Sequence, residues 1–124
     1  MNRRILLVDD EIHILKSLTR VFIGTDYQIF TANSGADALS ILRNQEVDLI
    51  VSDMRMPNMD GYELLYKVKI DYPDILGVIL SAYADEKLIF RALQQNIAKH
   101  YIPKPWENDK LIKLIDQIFK TEAL

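Results

Sequence analysis

Short aliphatic runs alternate with amphipathic stretches along the whole chain. Ile5-Leu6-Leu7-Val8 is continuous and apolar, and it stops at Asp9-Asp10-Glu11. Such a run predicts a short strand buried on both faces. The next stretch repeats Leu15, Leu18, Val21 and Phe22 at helical spacing, and Gly24 supplies a helix stop. Tyr27 to Thr31 reads as a second strand. Ser34 is placed to cap a helix that buries Ala38, Leu39 and Leu42. Asp48 to Ser52 is a third strand, ending at Asp53 and followed by a loop that Pro57 and Gly61 mark. Asp60 is set to cap a third helix carrying Leu64, Leu65 and Val68. Ile75 to Leu80 is a fourth strand, ending at Ser81, and Asp85 to about Gln95 a fourth helix. Lys99 to Ile102 is a fifth strand, cut by Pro103-Lys104-Pro105. The last helix starts near Glu107 and repeats Leu111, Leu114, Ile115, Ile118 and Phe119.

Five strand-helix units with aliphatic strands predict an α/β fold: a doubly wound, five-stranded parallel sheet with five helices on its two faces. Right-handed crossovers leave few topologies, and the flavodoxin-like order 2-1-3-4-5 is the commonest at this size. In that order the first and third strands are neighbours, and the crevice beyond their carboxyl ends is the place where such folds keep their chemistry.

Composition narrows the function classes. The 124 residues are read as one domain, 1–124, with 49% hydrophobic and 27% charged residues. A net charge of -3 without a basic block argues against direct nucleic-acid binding. No cysteine is present, which excludes disulfides, thiol catalysis and thiolate metal sites and fits a reducing, cytoplasmic setting. Arg3-Arg4 followed by four apolar residues is too short for a signal sequence, and no run has membrane-spanning length, so no membrane partner is expected.

The chemistry concentrates at strand ends. Asp9, Asp10 and Asp53 would gather beyond the first and third strands, with Ser81 after the fourth and Lys104 after the fifth. Three carboxylates together repel one another unless a cation intervenes. An oxygen-only ligand set favours a hard ion, Mg²⁺ or Mn²⁺ in its place, with the Arg55 backbone carbonyl as a further ligand. An aspartate carboxylate is a competent nucleophile toward phosphorus. The ammonium of Lys104 and the hydroxyl of Ser81 would then stabilise charge on the phosphoryl oxygens.

Asp9-Asp10, Asp53, Met56-Pro57-x-Met59-Asp60-Gly61, Ser81-Ala82 and Lys104-Pro105 together resemble the receiver domain of two-component response regulators, of which the chemotaxis response regulator is an example. The resemblance covers essentially the whole chain. It implies that Asp53 takes a phosphoryl group from a sensor histidine kinase or phosphotransfer protein. Asp10 and Asp53 would ligate the metal directly and Asp9 largely through water. Ser81 would move toward the phosphate and Tyr101 turn inward, remodelling the face of the fourth helix, fifth strand and fifth helix. The resemblance also implies a cis Lys104-Pro105 bond. Arg55 and Tyr83 lie where the family tunes phosphate lifetime. Asn96-Ile97-Ala98 departs from the usual Gly-Ala, and Asn tolerates the left-handed conformation that such a turn requires. Trp106 resembles receivers fused to enzymes such as cyclic-dinucleotide phosphodiesterases.

Blander readings stand beside these. Asp9-Asp10-Glu11 also suits the positive end of a helix dipole. His13 and His100 read as surface residues, Tyr101 as a half-buried aromatic, and the Met54, Met56 and Met59 group as loop packing. Charges on the last two helices are a solvated face or inter-subunit pairs in a homodimer. Two other functions stay open: a pseudo-receiver that binds partners without phosphorylation, and an Asp-nucleophile phosphatase. The phosphatase lacks a second Asp two residues after the nucleophile, where Arg55 stands.

Overall fold

The computed structural model describes residues 2–82 and 86–122. Its strands are β1 (Arg4–Val8), β2 (Gln28–Ala32), β3 (Leu49–Ser52), β4 (Leu76–Ser81) and β5 (His100–Pro103). The helices are α1 (Ile12–Val21), α2 (Gly35–Asn44), α3 (Gly61–Asp71), α4 (Glu86–Gln94) and α5 (Asn108–Glu122). The strands form one sheet in the order β2-β1-β3-β4-β5, with every pairing parallel. The expected topology is the observed one, and each element lies within a few residues of its predicted place. The start expected for the fourth helix, Asp85, lies outside the described residues.

Alternation along the strands divides the interior in two. Leu6, Val8, Ile50 and Ile79 face a core shared with α2, α3 and α4. Ile5, Leu7, Leu49, Val51, Val78 and Leu80 face a second core shared with α1 and α5. Because both faces are covered, the inner strands carry no polar alternation, which is why they read as unbroken aliphatic runs. Ile5, Leu6, Leu7, Leu49 and Ile50 have no exposed surface. Each such side chain stabilises the fold by about 1.5–3 kcal/mol through burial.

The helix ends follow local chemistry. Ser34 Oγ accepts from the Asp37 N–H at 3.1 Å, and Asp60 Oδ1 from the Glu63 N–H at 2.8 Å. Each satisfies an amide that the first helical turn leaves without a partner. Helix α4 closes through Asn96 at φ 58°, with the Asn96 N–H on Leu93 O (3.2 Å) and the Ile97 N–H on Ala92 O (2.9 Å). This pair of bonds is a Schellman closure, in which Asn takes the position that glycine usually holds. Ile97 and Ala92 are both buried in the same apolar core. Among the described residues, no helix is long and apolar enough to cross a membrane.

Candidate functional site

The parallel register brings the strand ends to one edge. Val8 is level with Ser52, and Ser81 with Pro103. Asp9 and Asp53 therefore leave the sheet side by side, and Lys104 leaves the same edge two strands from Asp53, beyond β4. Asp9, Asp10 and Asp53 each place a carboxylate oxygen within 4.8 Å of the others. Asp9 and Asp53 are buried (2% and 6% exposed), whereas Asp10 faces solvent.

Lys104 supplies the counter-charge. Its Nζ lies 2.6 Å from Asp9 Oδ2 and 3.6 Å from Asp53 Oδ2, and its side chain is 10% exposed. The chain reaches this position across the end of β5. The Lys104 N–H donates to Ser81 O at 3.1 Å, and the Lys104-Pro105 bond is cis. The Lys104 ammonium pairs with Asp9 and Asp53, and with Asp10 beside them the group holds three acids against one base. A hard divalent cation with oxygen ligands suits them.

Asp53 is held on several sides. Its N–H donates to Val8 O at 2.9 Å, and its Oδ1 accepts from the Met54 N–H at 2.8 Å. The Ser81 hydroxyl also hydrogen-bonds its carboxylate. Burial pushes the Asp53 carboxyl above the ordinary carboxylate range. Lys104 opposes that shift, Asp9 adds to it by repulsion, and the bonds from Ser81 and Met54 pull it back down. Asp9 also organises the entrance to α1. Its Oδ1 accepts from the Glu11 N–H at 2.9 Å, where Glu11 offers no side-chain cap. The dipole reading and the cluster reading of Asp9 thus describe one residue with two contacts.

The loop after Asp53 is shaped by close approach. The Gly61 N–H donates to Met54 O at 2.8 Å, and a Cβ on Gly61 would lie 2.1 Å from the Asp53 carbonyl oxygen. Glycine is the residue that lets α3 start directly against the strand end that carries Asp53. Met54 is fully buried, and Met59 packs on Gly35 at the start of α2, in line with the packing role expected of these methionines.

Tyr101 is half-buried, and its hydroxyl donates to Ser81 O at 3.2 Å. The Ser81 carbonyl therefore accepts from both Tyr101 and the Lys104 backbone. His13, His100 and Arg55 are exposed. Tyr83 lies outside the described residues. A cavity of about 530 Å³ opens over Asp53 and Lys104, walled by Glu11, Ile14, Pro105 and Trp106.

Two contributors escape a reading of the sequence. Gly61 is legible there as a turn marker, not as the residue that clears the Asp53 carbonyl. Ser52, fully buried, donates through Oγ to that same carbonyl at 2.8 Å. A hydroxyl closing an otherwise aliphatic strand is the signal available.

Residues 5–116 match the family described as response regulator receiver domain. Sporulation initiation phosphotransferase F of Bacillus subtilis is 35% identical over 111 residues, covering 90% of this chain and 89% of that protein. The hydrogenase transcriptional regulatory protein HoxA of Cupriavidus necator is 32% identical over 120 residues, and the chain spans 25% of its length. Among solved structures, the signal receiver domain of an HD domain-containing protein from Pseudomonas fluorescens superposes with a TM-score of 0.94. It is 31% identical, with 99% of this chain and 98% of that one covered.

Proposed function

The chain belongs to the response regulator receiver family of two-component systems, and from that premise we propose that Asp53 is its phosphoacceptor within a single receiver unit, residues 1–124. The observation that carries the reading is the pairing of a buried, multiply anchored Asp53 with two further carboxylates and Lys104 at one sheet edge. The donor is a phosphohistidine of a sensor histidine kinase or phosphotransfer protein, approaching through the cavity between α1 and the Lys104–Trp106 segment. A carboxylate oxygen of Asp53 attacks phosphorus, the new O–P bond forms, the P–N bond breaks, and the imidazole leaves with the electron pair. With a small donor such as acetyl phosphate, the same attack breaks the bond from phosphorus to the acetyl oxygen and acetate leaves with the electron pair.

Lys104 and the Ser81 hydroxyl face the developing charge on the phosphoryl oxygens. Asp10 and Asp53, with the Arg55 backbone carbonyl and with Asp9 acting largely through water, would hold Mg²⁺ or Mn²⁺, and the ion would supply positive charge to offset that of the phosphoryl group. The chain acts on itself and turns over no separate substrate. Arg55 and Tyr83 tune the lifetime of the acyl phosphate.

Ser81 links the site to the surface. Movement of Ser81 toward the phosphoryl group displaces the carbonyl that anchors Tyr101, and Tyr101 turns inward with the shift. The surface of α4, β5 and α5 then presents a different face to an effector or to a second copy of the chain.

Mass spectrometry after incubation with acetyl phosphate and Mg²⁺ tests the reading. One phosphate adduct in the wild type, lost in Asp53→Ala, supports it. An unmodified wild type under these conditions and with a phosphohistidine donor overturns it in favour of a pure interaction module.

A further inference from the structure

The peptide that joins Asp53 to Met54 has a partner at each end. Its carbonyl oxygen accepts from Ser52 Oγ at 2.8 Å. Its N–H donates to Asp53 Oδ1 at 2.8 Å. A trans peptide is planar and stiff, so these two contacts are coupled: turning the carbonyl turns the amide. Ser52 has no exposed surface. Gly61 lies close against the same carbonyl and leaves no room for a side chain there. The Asp53 N–H is fixed separately on Val8 O.

We propose that Ser52 is a positioning residue for phosphoryl transfer: through the Asp53-Met54 peptide it fixes Oδ1 of Asp53 and thereby leaves Oδ2 as the attacking oxygen. Oδ2 is the oxygen that faces Lys104, at 3.6 Å. The inference rests on Asp53 being the phosphoacceptor. With acetyl phosphate as donor, the Oδ2–P bond forms, the bond from phosphorus to the acetyl oxygen breaks, and acetate leaves with the electron pair. Without the Ser52 hydroxyl the peptide rocks, and Asp53 samples rotamers in which neither oxygen is aligned. The loss falls on the chemical step, because alignment matters at attack and much less for donor binding.

The test compares Ser52→Ala, Ser52→Thr and Ser52→Val. Thr keeps the hydroxyl and Val replaces it with a methyl group at nearly the same volume. The limiting phosphorylation rate at saturating acetyl phosphate and Mg²⁺ falls about fivefold in the Ala and Val variants, the scale of one net hydrogen bond. Half-saturating donor concentration stays within about twofold, on the reasoning that binding is spared. Thr restores the rate to within about twofold by the same logic. The amide proton resonance of Met54, assigned by NMR, moves in Ala and Val and stays near its wild-type position in Thr. Thermal melts confirm that each variant is folded at the assay temperature. Equal limiting rates in wild type, Ala and Val overturn the proposal, as does a Thr variant as slow as Val with the Met54 resonance unmoved in all three. A wild type that takes no phosphate removes the phosphoacceptor reading itself, a result distinct from either.

Discussion

Replacing Asp53 by Asn removes one buried charge from a cluster of three acids and one ammonium. At up to 4.8 Å from Asp9, the like-charge repulsion is about 3.5 kcal/mol at an effective dielectric of about 20. Asp10 is exposed and adds roughly half of that after solvent screening, about 1.5 kcal/mol. The attraction to Lys104 at 3.6 Å is about 4.6 kcal/mol on the same scale. Repulsion and attraction nearly cancel, so the burial of the Asp53 charge decides the sign. That burial is also the largest cause of its raised pKa. Asp53→Asn is therefore more stable than wild type near neutral pH, by about 1–2 kcal/mol after the weaker bonds to Met54 and Ser81 are deducted. The assay is urea unfolding with a chelator present, where the midpoint rises by about 0.5–1 M.

Acid and metal each shift this balance in a defined direction. The folded-state pKa of Asp53 is raised, so the native protein binds this proton more tightly than the unfolded chain does. Wild-type stability from this group is fully present below the unfolded pKa and lost as pH rises through the folded one. The advantage of Asn accordingly shrinks as pH falls through that window. With Asp53 a metal ligand as proposed, Mg²⁺ at one hundred times its dissociation constant stabilises the wild type by about 2.7 kcal/mol, and Asn, lacking that carboxylate, gains less. The advantage of Asn then narrows. An Asn variant that is less stable than wild type in chelator at pH 7, or whose advantage survives saturating Mg²⁺ unchanged, refutes the electrostatic account.

Lys104→Met preserves chain length and removes the ammonium. Its phosphorylation rate with acetyl phosphate drops about 10²–10³-fold, while Mg²⁺ titration followed by Trp106 fluorescence shows tighter binding, because Asp9 and Asp53 lose the cation that competes for them. Gly61→Ala places a Cβ 2.1 Å from the Asp53 oxygen and 2.9 Å from Met54 Cα. Both are backbone atoms that cannot step aside, so urea unfolding shows a loss of about 1–3 kcal/mol.

Much of this protein is written in short-range pattern. The aliphatic runs at Ile5–Val8 and Ile75–Leu80 sort into buried strands because neighbours along the chain set that pattern, and burial on both faces admits only apolar residues. Ser34, Asp60 and Asn96 are readable for the same reason: a cap or a left-handed turn is decided by a few adjacent residues. Even the gathering of Asp9, Asp53 and Lys104 follows, since each stands at a strand end and crossover rules order the strands.

Tertiary structure decided the contacts. Lys104 stands 95 positions beyond Asp9 in sequence, and its preference for Asp9 (2.6 Å) over Asp53 (3.6 Å) is set by the path out of β5 rather than by any local motif. The Ser52 hydroxyl lies in plain view within Leu49–Ser52, yet its acceptor depends on how the Asp53 peptide turns as the strand ends. Gly61 is legible as punctuation; its clearance of the Asp53 carbonyl emerges once α3 is seated on the loop. Sequence pattern determines which residues reach the edge of the sheet, because periodicity is local. Which oxygen meets which donor is settled at the scale of ångströms, by packing between segments distant in the chain.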